Sequence, residues 1–439
     1  MIMEEIQLLE NGVRNQVQSK DRSFHNWYQF VLGFPPHLVR HYVAKFGIHD
    51  ESIVLDPFCG TGTTNVECLK LGIENIGVEA NPMAFFASKV KTDWNVPAEA
   101  LRKNLQTVIS CAAHSLEHFG IPENVSLFTA KRNGKSLRTE PKLSEDQLAV
   151  LPKDFISPKP LRRILILKGS IETVEEDSVR DILLLALANL IVNCAGNVAF
   201  GPEVYAATPK KDAHVLDAFN RIVEGMINDL GQVDETPQPS HILLGDSRNL
   251  DPCLIPFSKR IDAVITSPPY PNEKDYTRST RLESVLLGLI SGKKQLRALK
   301  EQLLRSNSRN IFVADNDKDH IKDFKSISRI ADEIEAKRIS LKKTSGFEKQ
   351  YHKIVRHYFG GMYRHLQSLK PFLAPDARLA YVVGDQMSFF RIHIPTAKIL
   401  GEIAESIGYD IEGIELWRSR LATATKMQIE ENVLVLRNS

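Results

Sequence analysis

SIVLDPFCGTGTT, residues 52–64, followed by NVECLKLG (65–72) and NIGVEANP (75–82), is the stretch from which the fold is read. Residues 52–55 are a short apolar strand that ends at Asp56. PFCGTGTT makes a glycine-rich turn, a short helix follows, and a second strand runs to Glu79. Strand, helix and strand in about thirty residues make a βαβ unit. Parallel strands need such crossovers, so the unit predicts a largely parallel sheet with helices on both faces.

The same stretch carries the first chemistry. Asp56 stands at the carboxyl end of a strand, where open α/β sheets bind ligands. Gly60 and Gly62 let the backbone turn sharply and approach a ligand with no Cβ in the way. Glu79 comes 23 positions after Asp56, the distance at which an acid holds ribose hydroxyls in a Rossmann-like site. A tight turn with no ligand is the plain alternative, and acids ending two successive strands weigh against it. The ligand is then a dinucleotide or S-adenosylmethionine. The dinucleotide fingerprint needs a third glycine, but Gly62 is followed by Thr63, Thr64 and Asn65. No G-K-[ST] follows, so the loop is not a Walker A motif.

Outward from this unit, 439 residues give room for about three domains, or two large ones. Charged residues at 25% and hydrophobic residues at 43% exclude disorder, collagen and coiled coil for the whole chain. The net charge of +2 announces no nucleic-acid partner and leaves room for local basic faces. Cys59, Cys68, Cys111, Cys194 and Cys253 are scattered with no C-x-x-C pair. That fits a reducing cytosol and argues against a disulfide scaffold or a cysteine zinc site. MIMEEIQLLENG at the start has no long apolar core, so no secretory signal is expected there. Ile182–Val192, interrupted by Asn189, reads as a buried helix, too short for a membrane span.

Residues 1–50 read as largely helical, with Pro35 and Pro36 suited to a first helical turn. Residues 97–235 read as mostly helical with Pro- and Lys-rich breaks, and 131–168 holds ten Lys/Arg against four Asp/Glu. HILLGD (241–246) and IDAVITS (261–267) return to the strand pattern. Residues 271–370 are helical and basic, with 22 Lys/Arg against 12 Asp/Glu. ARLAYVVGD (377–385) is another buried strand, and YDIEGIELWR (409–418) with ENVLVLR (431–437) form a closing strand pair. Asp246, in LLGDSRNL, is a third acid ending a strand. It can accept a hydrogen bond from an adenine amino group or cap the turn that follows.

TSPPY at 266–270 follows an apolar strand and lies on the same carboxyl edge as Asp56. With prolines at about 5%, such a motif arises by chance in roughly one or two chains per hundred of this length, so it outweighs the glycine pair. Pro268 and Pro269 stiffen the loop and remove two N–H donors, leaving carbonyls to accept. Ser267 with a proline carbonyl makes a pair of acceptors for an exocyclic amino group. Tyr270 can stack on a base. A rigid turn bearing a packed tyrosine is the bland alternative.

DPFCGTGTT, GVEANP, GDS and TSPPY, in this order, resemble the amino-methylating DNA methyltransferases, the N4-cytosine and N6-adenine family. The family's motifs occupy roughly 20–95, 241–290 and 369–437. The resemblance implies a Rossmann-like class I S-adenosylmethionine-dependent methyltransferase sheet, α/β in class, with a large mostly helical insertion. It implies S-adenosylmethionine as cofactor, with Asp56, Phe58, Gly60, Gly62, Glu79 and Asp246 at cofactor positions. Ser267, Pro268, Pro269 and Tyr270 match the catalytic loop. Ser267 and the Pro268 carbonyl would orient the amino group of a flipped base, Tyr270 would stack on it, and the nitrogen would take the methyl group directly. Serine at the first position is typical of the family's cytosine-N4 enzymes and Asp or Asn of its adenine-N6 enzymes, so N4-cytosine is the leading reading. The stretch around His25, Trp27, Tyr28 and Phe34 resembles the segment that covers the methionine end, although it departs from the usual H-x-[FY]-P form. LKPFLAPDARLAYVVGD resembles a later strand of the same fold.

The expected organisation is a cofactor-binding part at 1–96, a helical insertion at 97–235, a catalytic part at 236–290, a basic helical insertion at 291–365 and the last strands at 366–439. Gly62 and Ser267 are 205 positions apart, and the first insertion falls after the second strand. Either it or the second, with Lys293, Lys294, Arg297, Lys337, Arg338, Lys342 and Lys343, would contact DNA phosphates or be a solvated face. The expected partner is double-stranded DNA, in the cytoplasm and with no membrane, alongside a cognate restriction endonuclease. Adenine-N6 methylation, RNA guanine-N2 methylation and a non-catalytic DNA-binding protein stand as alternatives. Pro252-Cys253 and Glu431-Asn432-Val433 resemble the P-C and E-N-V motifs of cytosine-C5 enzymes, but 178 positions separate them, so both read as coincidence. The thirteen histidines show no metal-ligand spacing, and His352, His357 and His365 read as surface or packing residues.

Overall fold

Pro36 opens helix α1 (Pro36–Phe46) in its first turn, where a missing N–H is no loss, and Gly47 closes it at φ 68°. A computed structural model describes residues 18–29, 33–123, 136–201, 203–233, 238–250, 260–421 and 428–439. The chain before residue 18, the lysines near 131, and Pro252 and Cys253 lie outside them. Strand β1 (Ile53–Asp56), helix α2 (Thr63–Lys70) and strand β2 (Glu74–Glu79) follow. The strands pair in parallel from Ile53 opposite Glu74 to Asp56 opposite Gly77, as the βαβ reading expects.

Helix α3 (Pro82–Lys91) starts behind Asn81, whose side chain accepts from the Met83 N–H. Helices α4 (Ala98–His118), α5 (Pro158–Ile171) and α6 (Asp177–Leu190), a hairpin of β3 (Val198–Phe200) and β4 (Val204–Ala206), and α7 (Leu216–Leu230) come next. Only then does the chain rejoin the sheet, as β5 (Ser240–Leu244) and β6 (Ile261–Thr266). Helices α8 (Arg281–Leu287), α9 (Lys293–Gln302), α10 (Lys325–Ser340) and α11 (Tyr351–Leu369) precede β7 (Leu373–Gly384). Helix α12 (Thr396–Ile407) and strands β8 (Tyr409–Leu421) and β9 (Gln428–Asn438) complete the chain.

Among the described residues these strands build a seven-stranded sheet in the order β5-β2-β1-β6-β7-β9-β8. β9 runs antiparallel to both β7 and β8, and the other neighbours are parallel. The strand order reverses direction at β1 and β6, which opens a crevice at their carboxyl ends.

Alternation along the strands sends side chains to two cores. Leu55, Val264, Leu379, Tyr381 and Leu434 join α10, α11 and α12 on one face. Val54, Ala263, Ile265, Ala380 and Val433 join Leu38, Val39 and Tyr42 of α1 on the other. Helices α4–α7 share a further apolar core with Met83 and Ala87 of α3. The boundary expected at 365 falls inside α11, whose Tyr358, Phe359, Met362 and Leu366 are buried against the sheet, so this helix belongs with the sheet layer.

One helix among the described residues, 177–195, has the length and apolarity to cross a membrane. Ile182, Leu183, Leu185 and Leu190 in it are buried in the helical core, as the sequence reading of that stretch expects.

Candidate active site

The carboxyl ends of β1, β2, β5 and β6 converge on one cavity of about 320 Å³. After β1 come Pro57–Thr61, after β2 come Glu79–Asn81, after β5 come Asp246–Arg248, and after β6 come Ser267–Tyr270. Stretches as far apart in sequence as Pro57 and Tyr270 are brought together here, because each follows a strand on the same edge of the sheet.

Glu79 accepts from the backbone N–H of Gly60 at 2.9 Å and of Asn81 at 2.7 Å. Burial pushes its carboxyl up to about 7, against the lowering effect of those two bonds. Gly60 has φ 53°, and a Cβ there would project into open space, so this backbone faces the cavity bare. Gly62 acts differently. At φ 81° its Cβ would stand 2.6 Å from Ser88 Oγ, so glycine is needed for the turn to seat against α3. Gly62 and Asp56 are not on the cavity wall. Asp56 is fully buried beneath it, accepting from the Phe58 N–H at 3.1 Å and the Thr266 hydroxyl at 2.6 Å. Burial raises its carboxyl to about 6, and Oδ2 has no hydrogen-bond partner among the described residues. Asp56 thus ties the glycine loop to the end of β6.

Phe58 lies on the wall, its ring edge-on to His365 at 4.8 Å. His365 is a buried strut that bridges the Ser247 carbonyl at 2.8 Å and the Tyr381 hydroxyl at 2.7 Å. Burial lowers it to about 4, so it is neutral. Asp246 accepts from the Arg248 backbone N–H at 2.9 Å, an Asx turn. It also pairs with the Arg248 guanidinium, which continues to Asp317 at 2.7 Å. Of the N-terminal stretch, Phe34 reaches the cavity. His25, Trp27 and Tyr28 are not on its wall: they are buried against Glu67, Asp229 and Glu283 and anchor the segment to α2, α7 and α8.

Ser267 donates its hydroxyl hydrogen to the Val382 carbonyl at 3.1 Å. Its oxygen also lies 3.4 Å from the Tyr270 hydroxyl and keeps acceptor capacity toward the cavity. Tyr270 donates to Glu431 Oε1 at 2.9 Å, and its backbone N–H is taken by the Tyr276 hydroxyl at 3.2 Å. Burial and the neighbouring Glu431 push the Tyr270 phenol well up, so it remains a donor. A Cβ at Gly384 would stand 3.1 Å from the Tyr270 ring, which is thereby packed against β7.

Asn272, Lys274, Leu303, Leu304, Trp417, Arg418 and Glu431 also line the cavity, and sequence reasoning assigned none of them to it. Glu431 had a usable signal: an acid just ahead of the apolar run Val433–Leu436, and the structure leaves it only 7% exposed. Its likeness to another enzyme class's motif concealed it. Part of the charge on the second basic region is matched locally, Arg297 with Glu301 and Arg338 with Glu335. Among the described residues no group of three or more His, Cys, Asp or Glu could hold a metal ion.

The cavity fits a nucleoside-bearing cofactor: bare backbone at Gly60, a carboxylate at Glu79, an aromatic wall at Phe58 and an acid at Asp246. A family model described as DNA methylase, of the N6/N4 type, matches residues 11–89. The chain is 23% identical to the type II methyltransferase M.BsoBI of Geobacillus stearothermophilus, covering 100% of this chain and 89% of that one. It is 23% identical to the type II methyltransferase M.AvaI of a Nostoc species, covering 90% of this chain and 81% of that one. The type II methyltransferase M.MjaII of Methanocaldococcus jannaschii is 22% identical over 59% of this chain and 61% of its own length.

Proposed function

Since this chain belongs with the amino-methylating DNA methyltransferases, which take S-adenosylmethionine as methyl donor, we propose that it methylates the exocyclic N4 amine of cytosine in double-stranded DNA. The observation that carries an amino-group target is the direction of the Ser267 hydrogen bond, and serine at this position, through the family resemblance, favours cytosine over adenine. With its hydrogen given to Val382, the Ser267 oxygen is an acceptor toward the cavity. The Pro268 carbonyl, on a loop without proline N–H donors, is the second acceptor. Two acceptors suit an exocyclic amino group and orient its lone pair.

In this reading Glu79 holds ribose hydroxyls, the Gly60 backbone and Phe58 cradle the nucleoside, and Asp246 accepts from the adenine amino group. Gly62 and Asp56 hold the loop in shape from below. Bound S-adenosylmethionine supplies an electrophilic methyl group. Ser267, Pro268 and Pro269 form a rigid platform for a base flipped out of the duplex. Tyr270, clamped by Glu431 and Gly384, offers a fixed stacking surface, so catalysis is mostly positioning in a pocket that excludes water. The basic helices at 97–235 and 291–365 would meet DNA phosphates. The type II methyltransferases among its relatives support a place in a cytoplasmic restriction–modification system, beside an endonuclease acting on the same site.

The test is direct. The purified protein is incubated with S-adenosylmethionine and unmethylated genomic DNA, which is digested to nucleosides and analysed by mass spectrometry. N4-methylcytosine is expected. N6-methyladenine would overturn the base assignment and leave the methyltransferase family standing.

A further inference from the structure

The far wall of the cavity holds a charged pair that the catalytic loop does not account for. Glu431 on β9 and Arg418 on β8 are cross-strand partners, and both line the cavity with Ser267 and Tyr270. The register of β8 shifts between Leu416 and Arg418. Such a bulge re-aims a side chain. Here it lets Trp417 and Arg418, adjacent residues that a regular strand would send to opposite faces, both reach the cavity. Glu431 divides its two oxygens between the walls: Oε1 accepts from the Tyr270 hydroxyl and Oε2 from the Arg418 Nε. Tyr270, Glu431 and Arg418 therefore form one connected polar chain, and the Ser267 hydroxyl oxygen stands 3.4 Å from that of Tyr270. That bond uses the Arg418 Nε, which leaves the two Nη groups at the outer end of a side chain that is 22% exposed.

We propose that Arg418 reads the ring edge of the target base, held in place by Glu431, and that this pair selects cytosine over adenine. The proposal rests on the cytosine-N4 reading above. With the amino group held at Ser267 and the Pro268 carbonyl, the next two atoms on the edge of cytosine that carry lone pairs are N3 and O2. They are adjacent acceptors, and a guanidinium presents paired donors in a fixed fork. Adenine offers one acceptor, N1, followed by a C–H. An Arg418 aimed by Glu431 is satisfied by the first base and left half unpaired by the second. Glu431 is a positioning residue here: it fixes the stacking ring and the reading guanidinium relative to each other.

The experiment is a chemical double-mutant cycle on duplexes carrying the mapped methylation site, with cytosine or 3-deazacytosine, which lacks the N3 acceptor, as the target. In the wild-type protein the deaza base is expected to lower kcat/KM by about ten- to hundredfold, the worth of a charged hydrogen bond. In Arg418→Ala and in Glu431→Ala the two duplexes should react at nearly the same, reduced rate. Glu431→Gln keeps one acceptor oxygen for the Arg418 Nε and turns its amide N–H toward the Tyr270 hydroxyl oxygen, which can accept, so it should retain part of the deaza penalty. Unchanged S-adenosylmethionine affinity by isothermal titration would show that the variants keep their cofactor site. A deaza penalty that persists undiminished in Arg418→Ala overturns the assignment to Arg418, and one that persists in Glu431→Ala overturns the positioning role. A wild-type product of N6-methyladenine removes the underlying base reading, and the selectivity proposal with it. That outcome is distinct from a missing coupling in an enzyme that does make N4-methylcytosine.

Discussion

Tyr270, at the end of the Ser267–Tyr270 loop, donates its phenolic hydrogen to Glu431, 161 positions away on the last strand, at 2.9 Å. The bond fixes one side of the cavity to the other through a single ring. A stacking platform is useful only if its plane is set before the base arrives, and this bond, with the packing of Gly384 on the ring, sets it.

That relationship predicts a split phenotype for Tyr270→Ala. Base stacking is worth about 1–3 kcal/mol, so single-turnover methyl transfer should fall roughly ten- to hundredfold. S-adenosylmethionine affinity, read by isothermal titration, should stay within about twofold. A large loss of cofactor affinity would contradict the placement of Tyr270 on the base side.

Glu79 should behave in the opposite way. Glu79→Ala removes hydrogen bonds to a charged acceptor, worth about 1.5–3 kcal/mol each, and should weaken S-adenosylmethionine binding at least tenfold. The pH dependence has a definite sign. Burial raises the free carboxyl from its ordinary 4.5 to about 7, so the folded protein holds an extra proton between those values. Its contribution to stability is full below 4.5 and is lost as pH rises through 7. Ribose hydroxyls favour the ionised form, so affinity should rise as pH increases toward 7, by up to about tenfold per unit. Titrations from pH 5.5 to 8 in buffers of different ionisation enthalpy would check this. A flat profile removes Glu79 from the ribose.

Arg248 links the cavity floor to the region between α9 and α10. It is 5% exposed and pairs with Asp246 and with Asp317, whose side chain is 2% exposed and also pairs with Arg364. Breaking a buried pair by removing one partner costs about 3–5 kcal/mol. Arg248→Met should approach that loss in urea unfolding at pH 7. Burial opposes ionisation of Asp317, but the two arginines outweigh it and hold its carboxyl below the ordinary range. The stability it contributes is present at neutral pH and fades as pH falls below that range, so the penalty for Arg248→Met should narrow in acid.

Gly360 offers a steric test. It lies in α11, and a Cβ there would stand 1.9 Å from the Asp317 carbonyl oxygen. Gly360→Ala must push the 317–321 turn off the helix, at about 1–3 kcal/mol. Gly225 in α7 has nothing within 4 Å of its Cβ position. Gly225→Ala should be neutral or stabilise by up to about 1 kcal/mol, through helix propensity alone. Equal midpoints for the two variants would contradict the packing argument.

The parallel sheet, the glycine turn after β1 and the strand ends at Glu79, Asp246 and Ser267 were legible from sequence because they are local. Hydrophobic runs of a few residues, glycine conformational freedom and proline stiffness act within a few positions of themselves. For the same reason Gly60, Glu79, Asp246 and the 267–270 loop are readable from the residues, while Phe58 came through the family resemblance, and all of them line the cavity. Asp56 and Gly62 were legible as part of the turn, but their place beneath the wall was not. It depends on Thr266 and Ser88, which approach only when β6 and α3 pack. His25, Trp27 and Tyr28 lie on the same short segment as Phe34, yet the partners that bury them are Glu67, Asp229 and Glu283.

The meeting of Glu431, Arg418 and Tyr270 has no local cause at all. It follows from β9 inserting antiparallel between β7 and β8, and from a one-residue register shift in β8. Period-two alternation places Arg418 on one face or the other only once that shift is known, because a slip of one residue turns every side chain over. The chemistry proposed for the 267–270 loop is therefore written in adjacent residues. The wall that faces it was decided by sheet order and register, which arise from contacts between segments distant in the chain.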